Sequence, residues 1–301
     1  MEVLINEEQV DVTLEEEQTL GEVMEGLRGW LNDSQLFITD VVVDEQDVKL
    51  DAPESWAQTR VDSIGRIEIM AMAPWEVKAA GLQVLVQYFT LLRDAIRSKD
   101  GRQLDEVSGE ADHIARTLPT YAQDLINPND RTDILHRIVD APEIREGTLP
   151  GAERATELLG YLDQAVTVLA SRAREISRPH AEAAATARTI RGLIPEVSEV
   201  SVLLQRGEDR RAMDSLVRFT ELVGKLLRIM PHMVRGNHEP AVSAERLEKY
   251  GAELNATLEE LVDAFGTQDS VLIGDLVEYE LVPKIEELLD YIPSVEQDAQ
   301  S

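Results

Sequence analysis

The chain has 301 residues, 43% hydrophobic and 29% charged, with 58 acidic side chains against 29 basic ones and no cysteine. The apolar fraction rules out wholesale disorder and the length allows two domains, while the missing thiols exclude disulfides, cysteine nucleophiles, iron–sulfur clusters and cysteine-bound zinc. A net charge of −29 argues against nucleic acid or anionic membranes as partners, because phosphates are bound by Lys and Arg displacing counterions.

No run of eighteen apolar residues is present, so no membrane-spanning helix is expected. The start, Met1-Glu2-Val3-Leu4, carries acid where a signal peptide needs base, and the expected location is the cytoplasm. Charge is uneven: residues 1–75 hold 18 acids and four bases, and per residue this front segment is nearly three times as acidic as the rest. Such a segment fits an electrostatic docking module for a basic protein partner. General solubility, or a proteome-wide acidic bias, accounts for it more simply; only six of the 29 bases are Lys.

In chain order, Val3-Leu4-Ile5 reads as a short strand and Asn6 to Gln9 as a polar turn. Val10, Val12 and Leu14 then alternate with Asp11 and Thr13 as a half-buried strand. Thr19-Leu20-Gly21-Glu22 has the form of a capping box, opening a helix whose stripe is Leu20, Val23, Met24, Leu27, Trp30 and Leu31. Phe37 to Val43 is a further strand, Asp44 to Asp47 a turn, Val48 to Leu50 a short strand, and Ile67 to Met72 a last one. Hairpin, helix, strand, short strand and strand in that order resemble the ubiquitin-like β-grasp fold. The segment lacks the di-glycine tail of conjugated modifiers, which argues against conjugation. What the resemblance implies is protein binding through the sheet face.

From Glu76 the period changes to that of helices. One stripe runs Val77, Ala80, Val84, Tyr88, Leu91 and Leu92; the next, read as one helix, runs Leu104, Val107, Ala111, Ile114, Leu118, Tyr121 and Leu125. Residues 126–149 read as an irregular connection around one short helix, Arg131 to Val139. Further helices carry Leu158 to Ile176, Ala181 to Gln205 with Pro195 inside, Met213 to Met230, Leu247 to Phe265, and Ile273 to Ile292. The last four pair as two hairpins. Asp100, Asp209 and Asp269 each stand where an N-cap is needed, and the pattern reads as a diverged αα-hairpin repeat of about 45 residues. The apolar helix end Leu226 to Met233 reads as buried. Leu272 to Leu281 resembles a phrase in uncharacterised bacterial helical proteins, which implies no function.

The expected fold class is therefore α+β: a β-grasp domain over residues 1–74, then an all-α domain of mostly antiparallel helical hairpins over 76–295. Chemistry is sparse. Glu110-Ala-Asp-His113 is half of the Glu-x-x-His pattern of di-iron carboxylate bundles, and Asp133-Ile-Leu-His136 is its nearest second half. Glu110 and His113 are thus the metal candidates, although chance explains such a pair in so acidic a chain. No phosphate loop, dinucleotide fingerprint or serine elbow is found, and no catalytic residue or cofactor is expected. Met70 and Met72, opposite in parity to Ile67, Ile69 and Ala71, are partner-binding candidates, with Trp75 at the junction; packing against the following helices is the plainer reading of all three. The expected function is a non-enzymatic adaptor or scaffold. The alternatives are a chaperone of the secretion or flagellar-export type, holding a segment in an apolar groove between helices, a carboxylate-bridged metal enzyme, and a self-assembling homo-oligomer.

Overall fold

The computed structural model describes residues 1–12, 17–126, 132–233, 244–267, 269–290 and 292. The chain divides into two compact units, Met1–Ala173 and Arg174–Ser301. It is α+β: a mixed five-stranded sheet at the front and helices thereafter.

In the first unit β1 (Glu2–Ile5) and β2 (Glu8–Val10) form a hairpin whose two turn residues, Asn6 and Glu7, both have positive φ. That is the turn whose twist matches paired strands. Leu14, expected on this strand, lies outside the described residues. Helix α1 (Leu20–Asp33) opens with the expected capping box: Thr19 Oγ1 accepts from the Glu22 N–H, and the Glu22 carboxylate accepts from the Thr19 and Gln18 N–H groups. Those backbone donors hold the Glu22 carboxyl below its usual range. Leu20, Val23, Met24, Leu27 and Leu31 are buried, whereas Trp30 is 53% exposed. The expected stripe therefore holds except at Trp30, whose indole lies on the exposed flank of the helix.

β3 (Phe37–Val43) turns through Asp44-Glu45, again with positive φ, into β4. That strand is Gln46–Asp47 rather than Val48 to Leu50, because the tight turn uses only two residues. β5 (Arg66–Met72) completes the order β2-β1-β5-β3-β4, parallel to β1 and antiparallel to β3. Val3, Ile5, Val41, Ile67, Ile69 and Ala71 share one core with α1, which covers a single face of the sheet.

β5 runs directly into α2 (Pro74–Ser98), with Pro at its first position and the Glu76 carboxylate accepting from the Ala73 N–H. The buried face of α2 is Leu82, Leu85, Tyr88, Phe89, Leu92 and Ile96, so Tyr88 and Leu92 of the expected stripe are buried while its Val84 is 57% exposed. Apolar residues occupy two faces of this helix, and periodicity alone does not rank them. The expected helix over Leu104 to Leu125 is two, α3 (Gly101–Ser108) and α4 (Ala111–Tyr121), broken at Gly109-Glu110. The connection holds two short helices, α5 (Ile134–Val139) and α6 (Pro142–Glu146), where one was expected. Asp100 caps α3 and Asp133 caps α5 through their side chains. α7 (Ala152–Ser177) follows, and Asp163 on it faces Arg93 and Arg97 of α2.

In the second unit α8 (Pro179–Ser198) carries Pro195 and ends before Glu199, after which α9 (Val200–Gln205) continues; one helix had been expected. α10 (Asp209–Met233) begins at Asp209 itself, so this residue is not a preceding cap as Asp100 and Asp269 are. Ser215 bonds Glu196 and Lys225 bonds Glu182, so rising numbers on α10 meet falling numbers on α8 and the pair is antiparallel. Leu226, Ile229 and Met230 are buried, with Leu227 and Met233 packed against the same core. α11 (Ala244–Gly266) packs beside the last stretch, where α12 (Ser270–Asp275), a π-helical turn at Leu276–Leu281 and α13 (Val282–Asp290) replace the single expected helix. Pro283 explains the wide turn: its ring crowds the carbonyl four residues back, and a π stretch relieves that.

Candidate protein-interaction face

Strand β5 sorts its side chains by parity. Ile67, Ile69 and Ala71 are buried against α1, while Met70 is 42% exposed and Met72 half-buried on the other face. On β3 the pairing with β5 shifts by one between Ile38 and Asp40, leaving Thr39 as the extra residue of a bulge. The shift places Phe37 opposite Met72 and Asp40 opposite Met70. Phe37, 50% exposed, therefore joins the two methionines in an apolar patch at one end of the open face. Towards the other end the same face carries Glu68 across from Leu4 and Val42, Asp47 across from Val42, and Glu2 across from Arg66. Arg66, the one base there, is engaged by Glu68 at 3.0 Å. Asp40 and Asp47 make no salt bridge among the described residues.

Polar side chains fix the frame of this patch. Asn6 in the hairpin turn donates from Nδ2 to the Ala71 carbonyl and accepts from the Ala71 N–H, both at 2.9 Å, locking the turn to β5 between the two methionines. Thr39 Oγ1 donates to the Met70 carbonyl at the bulge. At the other turn the Asp44 carboxylate accepts from the Gly65 and Arg66 N–H groups. The patch is thus rigid, apolar at one end and acidic beyond it. Trp75, by contrast, is half-buried within the first turn of α2 and is not on the strand.

Glu110 and His113 are both exposed, at the start of α4. They line a groove of about 560 Å³ between α2 on one side and α3 and α4 on the other. Tyr88 and Ile114 are its buried floor, and Val84 and Leu91 stand exposed on its rim. Burial pushes the Tyr88 phenol well above its usual range; the positive charge of Arg145 opposes this and the negative charge of Glu110 adds to it. Among the described residues no three His, Asp or Glu side chains converge where a metal ion could sit. The second half-motif is used locally: His136 Nδ1 lies 2.6 Å from the Asp133 carboxylate that caps the same helix. The described residues therefore do not fit a carboxylate-bridged dimetal centre.

Residues 1–73 match a family model described as the TP0873 N-terminal domain, and residues 186–291 match one described as a domain of unknown function (DUF8042). The first match spans the whole sheet and its open face; the second lies within the second unit and includes Leu272 to Leu281. No curated protein and no solved structure matches the chain. Among the described residues, no helix is long and apolar enough to cross a membrane.

Proposed function

We propose that the protein is a non-enzymatic adaptor of the cytoplasm, which docks a basic protein partner on the open face of its N-terminal sheet. The observation that carries this reading is the patch of exposed Phe37 and Met70 with half-buried Met72, beside Asp40, which makes no salt bridge among the described residues, on a hydrogen-bonded frame. Exposed large apolar groups held on strands, next to uncompensated carboxylates, form a surface whose energy is released when an apolar and cationic partner covers it. The sheet order supports the analogy with ubiquitin-like β-grasp modules, which bind other proteins through such a face.

The test is affinity capture on the full chain, comparing wild type with a Phe37→Glu/Met70→Glu variant at about 50 mM salt and at roughly ten times that. Wild type should retain a basic partner at low salt and release it at high salt. The variant should not retain it at either. Retention by the variant, or no salt-sensitive partner at all, overturns the reading.

A further inference from the structure

The groove beneath Glu110 and His113 lies apart from the sheet, with core residues Tyr88 and Ile114 as its floor. Its α2 wall presents Val84, Tyr88 and Leu91, at i, i+4 and i+7, and Val107 and Ile114 face it from α3 and α4. Seven residues of helix cover about 10 Å, so the apolar lining runs for two turns. Val84 and Leu91 are an exposed apolar edge of α2, beside the buried Leu82, Leu85, Phe89 and Leu92, and Tyr88 lies between the two. Both walls are helices whose backbone groups are bonded internally, so no strand can be added to them, and an occupant must bind through side chains.

Charge narrows the occupant. Glu106 and Glu110 stand on the rim, neither makes a salt bridge among the described residues, and no Lys or Arg lines the groove. At its floor the Tyr88 hydroxyl is buried without a hydrogen-bond partner, on a side chain only 6% exposed. That oxygen is closed even to water, so what the floor offers an occupant is the apolar ring of Tyr88 rather than its hydroxyl.

We propose that this groove is a second docking site, independent of the sheet face, and that it takes a short amphipathic helix of a partner protein. The helix lays an apolar stripe along Val84, Tyr88 and Leu91 and places Lys or Arg against Glu106 and Glu110.

The probe is a fluorescein-labelled helical peptide of about 15 residues built from Leu and Lys, with Leu at i, i+3, i+4 and i+7. Two controls accompany it, one with the Leu stripe scrambled and one with every Lys replaced by Glu. Anisotropy titration of the full chain at about 50 mM salt should show binding of the striped Lys peptide alone. Glu106→Lys/Glu110→Lys should weaken it about tenfold, and Val84→Asp by at least as much. All three positions are exposed, so these variants keep the fold. Phe37→Glu/Met70→Glu should leave the affinity within about twofold, which separates this site from the sheet face. Equal binding to every variant marks general attraction to an acidic protein and overturns the proposal, as does no binding. A dimer that Val84→Asp dissociates, read by light scattering, assigns the groove to a second copy of the chain and overturns it too.

Discussion

Gly81 sits in the middle of α2, where alanine is favoured over glycine by about 1 kcal/mol on backbone grounds alone. A Cβ at this position would overlap Cγ, Cδ1 and Cε1 of the Tyr121 ring at the end of α4. Because Cγ is among the overlapped atoms, the ring cannot simply swing its tip away; its χ1 must change or α4 must move. Overpacking of that kind costs about 1–3 kcal/mol, and near the upper limit it exceeds the helix gain. Gly81→Ala should therefore lose about 1–2 kcal/mol net. In a Tyr121→Ala background the same substitution should instead gain up to about 1 kcal/mol, giving a coupling of about 2–3 kcal/mol. Gly26→Ala on α1, where nothing lies within 4 Å of the added carbon, is the control and should stabilise in any background. All three tryptophans, Trp30, Trp56 and Trp75, lie in the first unit, so urea unfolding followed by tryptophan fluorescence reads the relevant transition. A stabilising Gly81→Ala in the wild-type background, or one that Tyr121→Ala does not reverse, would refute the close approach of α2 and α4.

Two other expectations concern parts remote from that contact. Burial would raise the Glu182 carboxyl, but Lys225 at 2.7 Å and Arg174 at 3.1 Å outweigh it and hold it below its ordinary 4.5. A carboxyl lowered in the folded state adds stability above its unfolded value and loses it as pH falls through the folded one. Glu182→Gln should thus destabilise the second unit by about 1–2 kcal/mol at pH 7, and by progressively less below pH 4.5. Circular dichroism changes not shared by tryptophan fluorescence follow this unit, and an undiminished deficit at pH 3 would contradict the pairing. Glu7 and Glu45 hold φ of 69° and 67° in the two hairpin turns. Glycine adopts that conformation without steric cost, so Glu7→Gly and Glu45→Gly should each raise the fluorescence-monitored stability by about 0.5–1 kcal/mol; a loss at either position would mean that the side chain is needed there.

Phe37 shows how far the open face could be read beforehand. Strict alternation from buried Val41 would place Phe37 inward with it, and only the extra residue at Thr39 turns it out beside Met72. Met70 and Met72 needed no such correction, because β5 is regular and parity with Ile67 and Ile69 assigns their face. Asn6, which pins the hairpin turn to Ala71, has no sequence signal beyond being a turn residue; its partner is 65 positions away. The groove was half legible. Val84, Tyr88 and Leu91 stand out as an apolar stripe that reads as core, yet the neighbouring helices cover Tyr88 and leave Val84 and Leu91 exposed.

The order of strands and helices, the capping box at Thr19, the helix caps at Asp100 and Asp269, and the acidity of the front segment were all set by residues a few positions apart. Side-chain period, local hydrogen bonding and composition act within one turn or one strand, so a chain carries them whether or not it is folded. Which face of α2 is buried, where β3 bulges, that one apparent helix is two, and which carboxylates lack a cation depend on residues from distant parts of the chain meeting. Those outcomes follow from packing and pairing register, in which a shift of a single residue exchanges the buried face for the exposed one.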